Sequence, residues 1–281
     1  MTVGGAYPSV VAAMAAVSLA GCGGVVWPGT HAAAPVRPAA SLPSGDEVAL
    51  LLAPSLDLAS PADAVVRVVG PQMTCSGTLI AEDLVLTAHH CIVERRGQGE
   101  FTPTLVSPAS LQVELGGDYL PWGNVGIKAV LAPPCGENGG RGDVAVLVLE
   151  RKLVGIATIA LRDAPPRVGE VVDPVGFGRC ALSPQGIRRR EREGATVGAI
   201  TKATFEVNAS VCPGDSGGPA LDRVTREVVG VVSLSAMDQD EATRGRSVFA
   251  RIDGLASVAA YARLVADGAD PGDLPPLSCD R

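Results

Sequence analysis

The sequence predicts an all-β fold closed by one C-terminal helix. Short β-branched runs, each bounded by Gly, Pro, Asp or Ser, recur from residue 64 to residue 252, the pattern of a sandwich or barrel. Helical spacing is sustained once, near the end of the chain. The 281 residues include 34 glycines and 22 prolines, about a fifth of the chain against roughly 12% in an average protein, which favours many turns over long helices. Aromatic residues make up only 3%, so the core must be built from Val, Ala, Leu and Ile. The hydrophobic share of 47% excludes a disordered chain. A net charge of −7 argues against a nucleic-acid binder with a basic surface.

In chain order, residues 10–20 form an apolar run broken only by Ser18. A spanning helix needs about twenty such residues, so the run fits the core of a signal peptide over 1–21, although no Lys or Arg precedes it. It ends in Leu19-Ala20-Gly21-Cys22, which resembles a bacterial lipobox. That resemblance implies cleavage before Cys22, a lipid on its thiol, and export to the bacterial cell envelope; an ordinary secretory signal is the simpler alternative. Taking Cys22 for lipid leaves six of the seven cysteines for pairing. Residues 22–61 read as a Pro/Ala-rich spacer, in which 48–52 is either a strand or a docking segment. Strands are expected at 64–69, 76–80, 84–87, 111–115, 125–131, 144–149, 170–175, 195–200, 204–207, 228–234 and 247–252. Leu255, Val258, Ala259, Ala262 and Val265 recur at helical spacing over 255–267, with Gly268 as the stop. The folded domain is thus expected over 62–268, followed by a Pro-rich tail over 269–281.

Chemistry concentrates in three segments. The first holds Cys75 and then Thr87-Ala88-His89-His90-Cys91; the second is Gly142-Asp143 and the apolar run behind it; the third is Cys212-Pro213-Gly214-Asp215-Ser216-Gly217-Gly218-Pro219. A serine hydroxyl needs a base within hydrogen-bond reach to act as a nucleophile, and the chain has only His31, His89 and His90. A carboxylate opening a buried strand can orient such a histidine. Backbone N–H groups in the glycine-rich turn around Ser216 are suited to hold an oxyanion. The order His, Asp, Ser is that of chymotrypsin.

On these motifs the chain resembles the chymotrypsin/trypsin family of serine endopeptidases over roughly 64–267. The resemblance implies two antiparallel six-stranded β-barrels with the active site between them, and protein or peptide substrates. The alternatives are a catalytically silent homologue serving as an adhesin or binding module, and a peptidase latent until a partner or cleavage orders its site. Position by position it implies His90 as general base, with His89 a neighbour, Asp143 as its orienting acid, and Ser216 as nucleophile. It assigns the oxyanion hole to the N–H groups of Gly214 and Ser216, and a supporting role beside the substrate backbone to Ser233. Ser210 falls where the floor of the specificity pocket is expected, and Ser235 and Ser247 on its walls, which implies a small or medium apolar side chain before the scissile bond. Cys75–Cys91 matches a family disulfide. The other four cysteines allow three connectivities, of which the resemblance favours Cys180–Cys212 with Cys135–Cys279. No close Cys-x-x-Cys spacing suggests a metal site. No metal, cofactor or nucleic acid is expected, and a lipid anchor would be the only tie to a membrane. The chain lacks the Ile-Val-Gly-Gly-like start whose new amine, in typical members, pairs with the aspartate before the nucleophile, here Asp215. Either another sequence supplies the amine or the site is ordered without it. The run Arg188-Arg189-Arg190-Glu191-Arg192 reads as a solvated hairpin, with a docking patch as the alternative.

Overall fold

A computed structural model describes residues 61–97, 100–117, 120–133, 142–179, 187–235, 245–275 and 277. Fifteen strands and one α-helix follow in order: β1 (Val65–Val69), β2 (Thr74–Ala81), β3 (Leu84–Thr87), β4 (Val93–Arg96), β5 (Glu100–Leu105), β6 (Gln112–Leu115), β7 (Gly123–Leu131), β8 (Ala145–Leu149), β9 (Val171–Gly176), β10 (Arg190–Glu191), β11 (Ala195–Ile200), β12 (Thr204–Val207), β13 (Pro219–Asp222), β14 (Val228–Ser235), β15 (Ser247–Arg251) and α1 (Ala256–Ala266). All eleven expected strands are present within a residue or two of their expected ends, and so is the helix.

The strands close into two antiparallel barrels. The first runs β1-β2-β3-β8-β7-β6. The second runs β9-β11-β12-β15-β14-β13 and is closed by a β9–β13 pairing, with β10 added along β9. The mostly-β, two-barrel fold with a C-terminal helix is the expected one. Strand β3 and strand β8 are buried at every position, because α1 covers the first barrel on that side. This explains why β8 reads as an unbroken apolar run and β3 as one broken only by its terminal Thr87. The helix buries Val258, Ala262 and Val265 as one stripe. Lys128 donates to the carbonyl of Val265 at 3.0 Å, placing a cation at the helix C-terminus, where the dipole favours it.

With so few aromatic residues, the second barrel spends two of the chain's four phenylalanines on its centre. Phe205 and Phe249 are opposite one another in the β12–β15 register and stack with centroids 5.4 Å apart. Gly230 on β14 makes room for them: a Cβ there would lie 2.4 Å from the Phe205 ring. A register shift in β14 between Val228 and Gly230, where it pairs with β13, divides its valines between two cores. Val229 and Val232 point into the second barrel, while Val228 and Val231 join the core of the first.

Four strands were not expected. The β4–β5 hairpin is exposed and charged, with too little apolar alternation to register. Strand β13 begins on the proline of the Ser216 turn, and β10 is only two residues long.

Candidate active site

The antiparallel register sets the first two site residues side by side. Thr87, the last residue of β3, pairs with Ala145, the first of β8. The chain therefore leaves β3 toward His90 at the same barrel end where Asp143 enters β8. A 3-10 turn over His89–Cys91 fixes the histidine backbone, and a Cys75–Cys91 disulfide, spanning 16 residues of sequence, ties that turn to β2. A link closing a loop of this size contributes about 3 kcal/mol.

Asp143 is only 2% exposed. Its Oδ2 meets Nδ1 of His90 at 2.8 Å and accepts from the Ser233 hydroxyl at 2.5 Å, while its Oδ1 accepts from the His90 backbone N–H at 2.9 Å. Burial works against the carboxylate charge. The hydrogen bond and positive field of His90, with the Ser233 hydroxyl and the His90 N–H, outweigh it and hold the carboxyl below its ordinary 3.8. An ionised carboxylate can only accept, so the proton on His90 sits at Nδ1 and Nε2 is left as the base. His89 is buried beside it and gives its carbonyl to the turn, accepting from Ile92 N–H.

Ser216 lies in a turn stitched to both barrels. Its carbonyl accepts from Ser76 N–H on β2 at 2.7 Å, and the N–H of Gly217 donates to Val232 on β14 at 2.9 Å. Ser76, which sequence reasoning did not single out, is fully buried. Its hydroxyl donates to the Gly214 carbonyl at 2.7 Å and accepts from Phe177 N–H at 2.9 Å. Gly214 has φ +104°, a conformation that a side chain would resist. Among the described residues, the N–H groups of Gly214 and Ser216 meet no acceptor. A cleft of about 610 Å³ brings His90, Gly214, Ser216 and Ser233 onto one surface.

Asp215 points the other way, away from solvent. It is fully buried and accepts from Gly178 N–H at 2.7 Å and Cys212 N–H at 2.8 Å. Its counter-ion is Arg192, whose Nη1 donates to Oδ1 at 3.2 Å and whose Nη2 pairs with Oδ2. The arginine run is therefore not a solvated hairpin. Arg189 also turns inward, to Asp63. The one sequence signal for this was a buried-type aspartate with no visible amine to neutralise it.

The expected pocket residues Ser210, Ser235 and Ser247 lie near one another, Ser235 on β14, Ser247 on β15 and Ser210 within the Ala209–Val211 segment that Ser247 holds. Ser210 is exposed and lies outside the cleft lining. Ser247 is fully buried, with its hydroxyl donating to the Ala209 carbonyl at 2.5 Å and accepting from Val211 N–H at 3.3 Å. Ser235 ends β14 opposite Ser247, and its side chain is outside the described residues. Cys212 is disulfide-bonded. Cys135, Cys180 and Cys279, which were expected to complete the pairings, and Cys22, expected to carry lipid, lie outside the described residues. Cys75, His90 and Cys91 form a cluster of metal-type ligands, but the two sulfurs are bonded to each other and His90 Nδ1 is committed to Asp143.

Comparison with known proteins agrees with this geometry. The trypsin family model matches residues 54–259. The serine protease SP24D of Anopheles gambiae is 31% identical over 182 residues, which cover 59% of this chain and 64% of that protein. The match thus spans a little under two thirds of the relative's length. Among solved structures, a Glu endopeptidase in complex with MPD superposes with a TM-score of 0.59 at 17% identity, covering 76% of this chain and 95% of the other. Neuropsin, a serine protease expressed in the limbic system of mouse brain, superposes with a TM-score of 0.53 at 18% identity, covering 71% and 95%.

Proposed function

The chain belongs to the trypsin family, and on that premise we propose that it is a serine endopeptidase hydrolysing peptide bonds through an acyl-enzyme on Ser216. One observation carries the reading: His90, gripped by Asp143 at two points, opens onto the same cleft as Ser216 and the unbonded N–H groups of Gly214 and Ser216. In the reaction His90 Nε2 takes the Ser216 proton as Oγ attacks the scissile carbonyl, and the two N–H groups receive the oxyanion. The imidazolium, stabilised by Asp143, then protonates the leaving amine. Water repeats the sequence on the ester and frees Ser216. No cofactor enters.

The Arg192–Asp215 pair supports a further element of the proposal, that the oxyanion turn is held in working form without a newly cut N-terminal amine. It puts a cation inside the protein where an amine would otherwise be needed. Export and anchoring through a lipid on Cys22, in a bacterial envelope, complete the proposal. They rest on the apolar run 10–20 and the Leu19-Ala20-Gly21-Cys22 sequence, and a Cys22→Ser variant that stays in the membrane fraction of an expressing bacterium would refute them.

The test of the activity is intact mass after incubating the full chain with a fluorophosphonate. The expected result is one adduct, on the peptide holding Ser216, without prior proteolysis. Folded protein that takes no adduct would refute the endopeptidase reading, and an adduct formed only after limited proteolysis would refute cleavage-free ordering.

A further inference from the structure

Among the described residues, several partly buried arginines are matched by carboxylates. Arg67, Arg189, Arg192, Arg251 and Arg263 each hold a carboxylate. The catalytic cleft is different, because two arginines line it, Arg95 and Arg179, and among the described residues no Asp or Glu does. This cationic lining sits in a chain of net charge −7.

Each arginine is held in place by something other than a carboxylate. Arg95 lies on β4, with its backbone N–H donating to the Gln72 side chain at 2.8 Å. Its guanidinium covers the ring of Phe101 at 4.6 Å, and Phe101 in turn meets the His90 ring edge-on at 5.4 Å. The Arg95 Nε is shielded from solvent and has no hydrogen-bond partner, and among the described residues no carboxylate pairs with this guanidinium. Arg179 is exposed. Its backbone N–H donates to the Pro213 carbonyl at 3.0 Å, directly before Gly214, and among the described residues its guanidinium has no partner.

The positions of these side chains select one end of the substrate. The acyl part of a peptide lies along the β14 wall, by the family resemblance drawn on Ser233. The leaving amine must take its proton from His90, so the departing chain passes the His90 ring and what packs on it, namely Phe101 and Arg95. Arg179 and its anchor beside Gly214 form part of the same cleft surface.

We propose that Arg95 and Arg179 form a carboxylate-binding subsite for the leaving-group side, so that the enzyme prefers bonds followed within two residues by an acidic group. This rests on the endopeptidase reading. The carboxylate has two sources with the same chemistry, an Asp or Glu side chain or the free C-terminus of a short substrate, and an internal acid is the expected one because the activity proposed is that of an endopeptidase. Guanidinium groups suit this role through paired N–H donors in a fixed plane.

The test is digestion of a random peptide library by the full chain, read by mass spectrometry, with one half of the library amidated at the C-terminus. Asp and Glu should be enriched about tenfold over Asn and Gln in the two positions after the cut, the order expected for charge-assisted contacts, in both halves and less so at high salt. Arg95→Gln and Arg179→Gln should each reduce the enrichment, and Arg179→Glu should turn it toward Lys and Arg, a reversal that mere loss of structure could not produce. Phosphonate uptake at Ser216 reports separately that each variant retains a formed site. Cleavage without acidic enrichment overturns the subsite. Enrichment confined to the free-acid half overturns the internal-acid source. A library left uncut by protein that takes the phosphonate also overturns the subsite, since acidic sequences are present in it, whereas absence of both cutting and adduct overturns the endopeptidase reading beneath it.

Discussion

Two adjacent histidines are chemically identical and differ only in what holds them. His90 is bonded to Asp143 through its ring and its backbone, while His89 is a buried neighbour. His90→Ala and Ser216→Ala should each remove about 10⁴-fold or more of turnover, with His89→Ala keeping most of it. Steady-state kinetics on any cleaved peptide decides this, and the reverse result for the two histidines would move the base to His89. Asp143 makes a second prediction. Because its folded carboxyl titrates below 3.8, its charge contributes stability in full above that pH and loses it as pH falls through the lower folded value. In urea denaturation, wild type and Asp143→Asn should therefore differ most above pH 3.8 and converge below it. A gap that widens with acid would contradict the sign. These residues were legible in the sequence because acyl transfer restricts their types and order. Arg192 was not, since an arginine among four in five residues carries no mark of which carboxylate it will meet across the fold.

Elements were legible where one face is buried and the other is not, or where burial is complete. The exposed β4–β5 hairpin lacked both patterns, and yet it carries Arg95 and Phe101 to the cleft. Its pairing is written in backbone hydrogen bonds, which composition does not reveal. The packing of β12, β14 and β15 is similarly a matter of three-dimensional fit: Gly230 is a strand interruption in sequence and a seat for Phe205 in space. Gly230→Ala should cost about 1–3 kcal/mol, the usual effect of overfilling a packed core. Chemical denaturation would measure it, and an unchanged midpoint would show that the barrel yields more readily than its geometry suggests.

Across the whole molecule, the two barrels share material. The larger apolar core runs through the first barrel and on to Leu221, Val228, Val231 and Ala250 of the second, and to the α1 residues. Separating the barrels would expose those valines, so unfolding should be one cooperative transition, with calorimetric and van't Hoff enthalpies equal within error. Two resolved transitions would mean that the shared core is weaker than either interior. The two-barrel plan was anticipated by the family resemblance, whereas composition and periodicity reached only an all-β chain with a terminal helix. How strands partition between barrels depends on long-range pairing, such as β9 with β13, that no local pattern encodes.

The guanidinium beside Asp215 also changes how such an enzyme could be governed. An ammonium that exists only after cutting works as a fuse, since the protein is inert until another protease lights it. An internal arginine, if it orders the turn as proposed, has no unlit state, and restraint would then come from outside the fold, through what reaches the cleft or what inhibitor waits there. On the proposed ordering by Arg192, the front of the chain would take no part in switching the catalyst on.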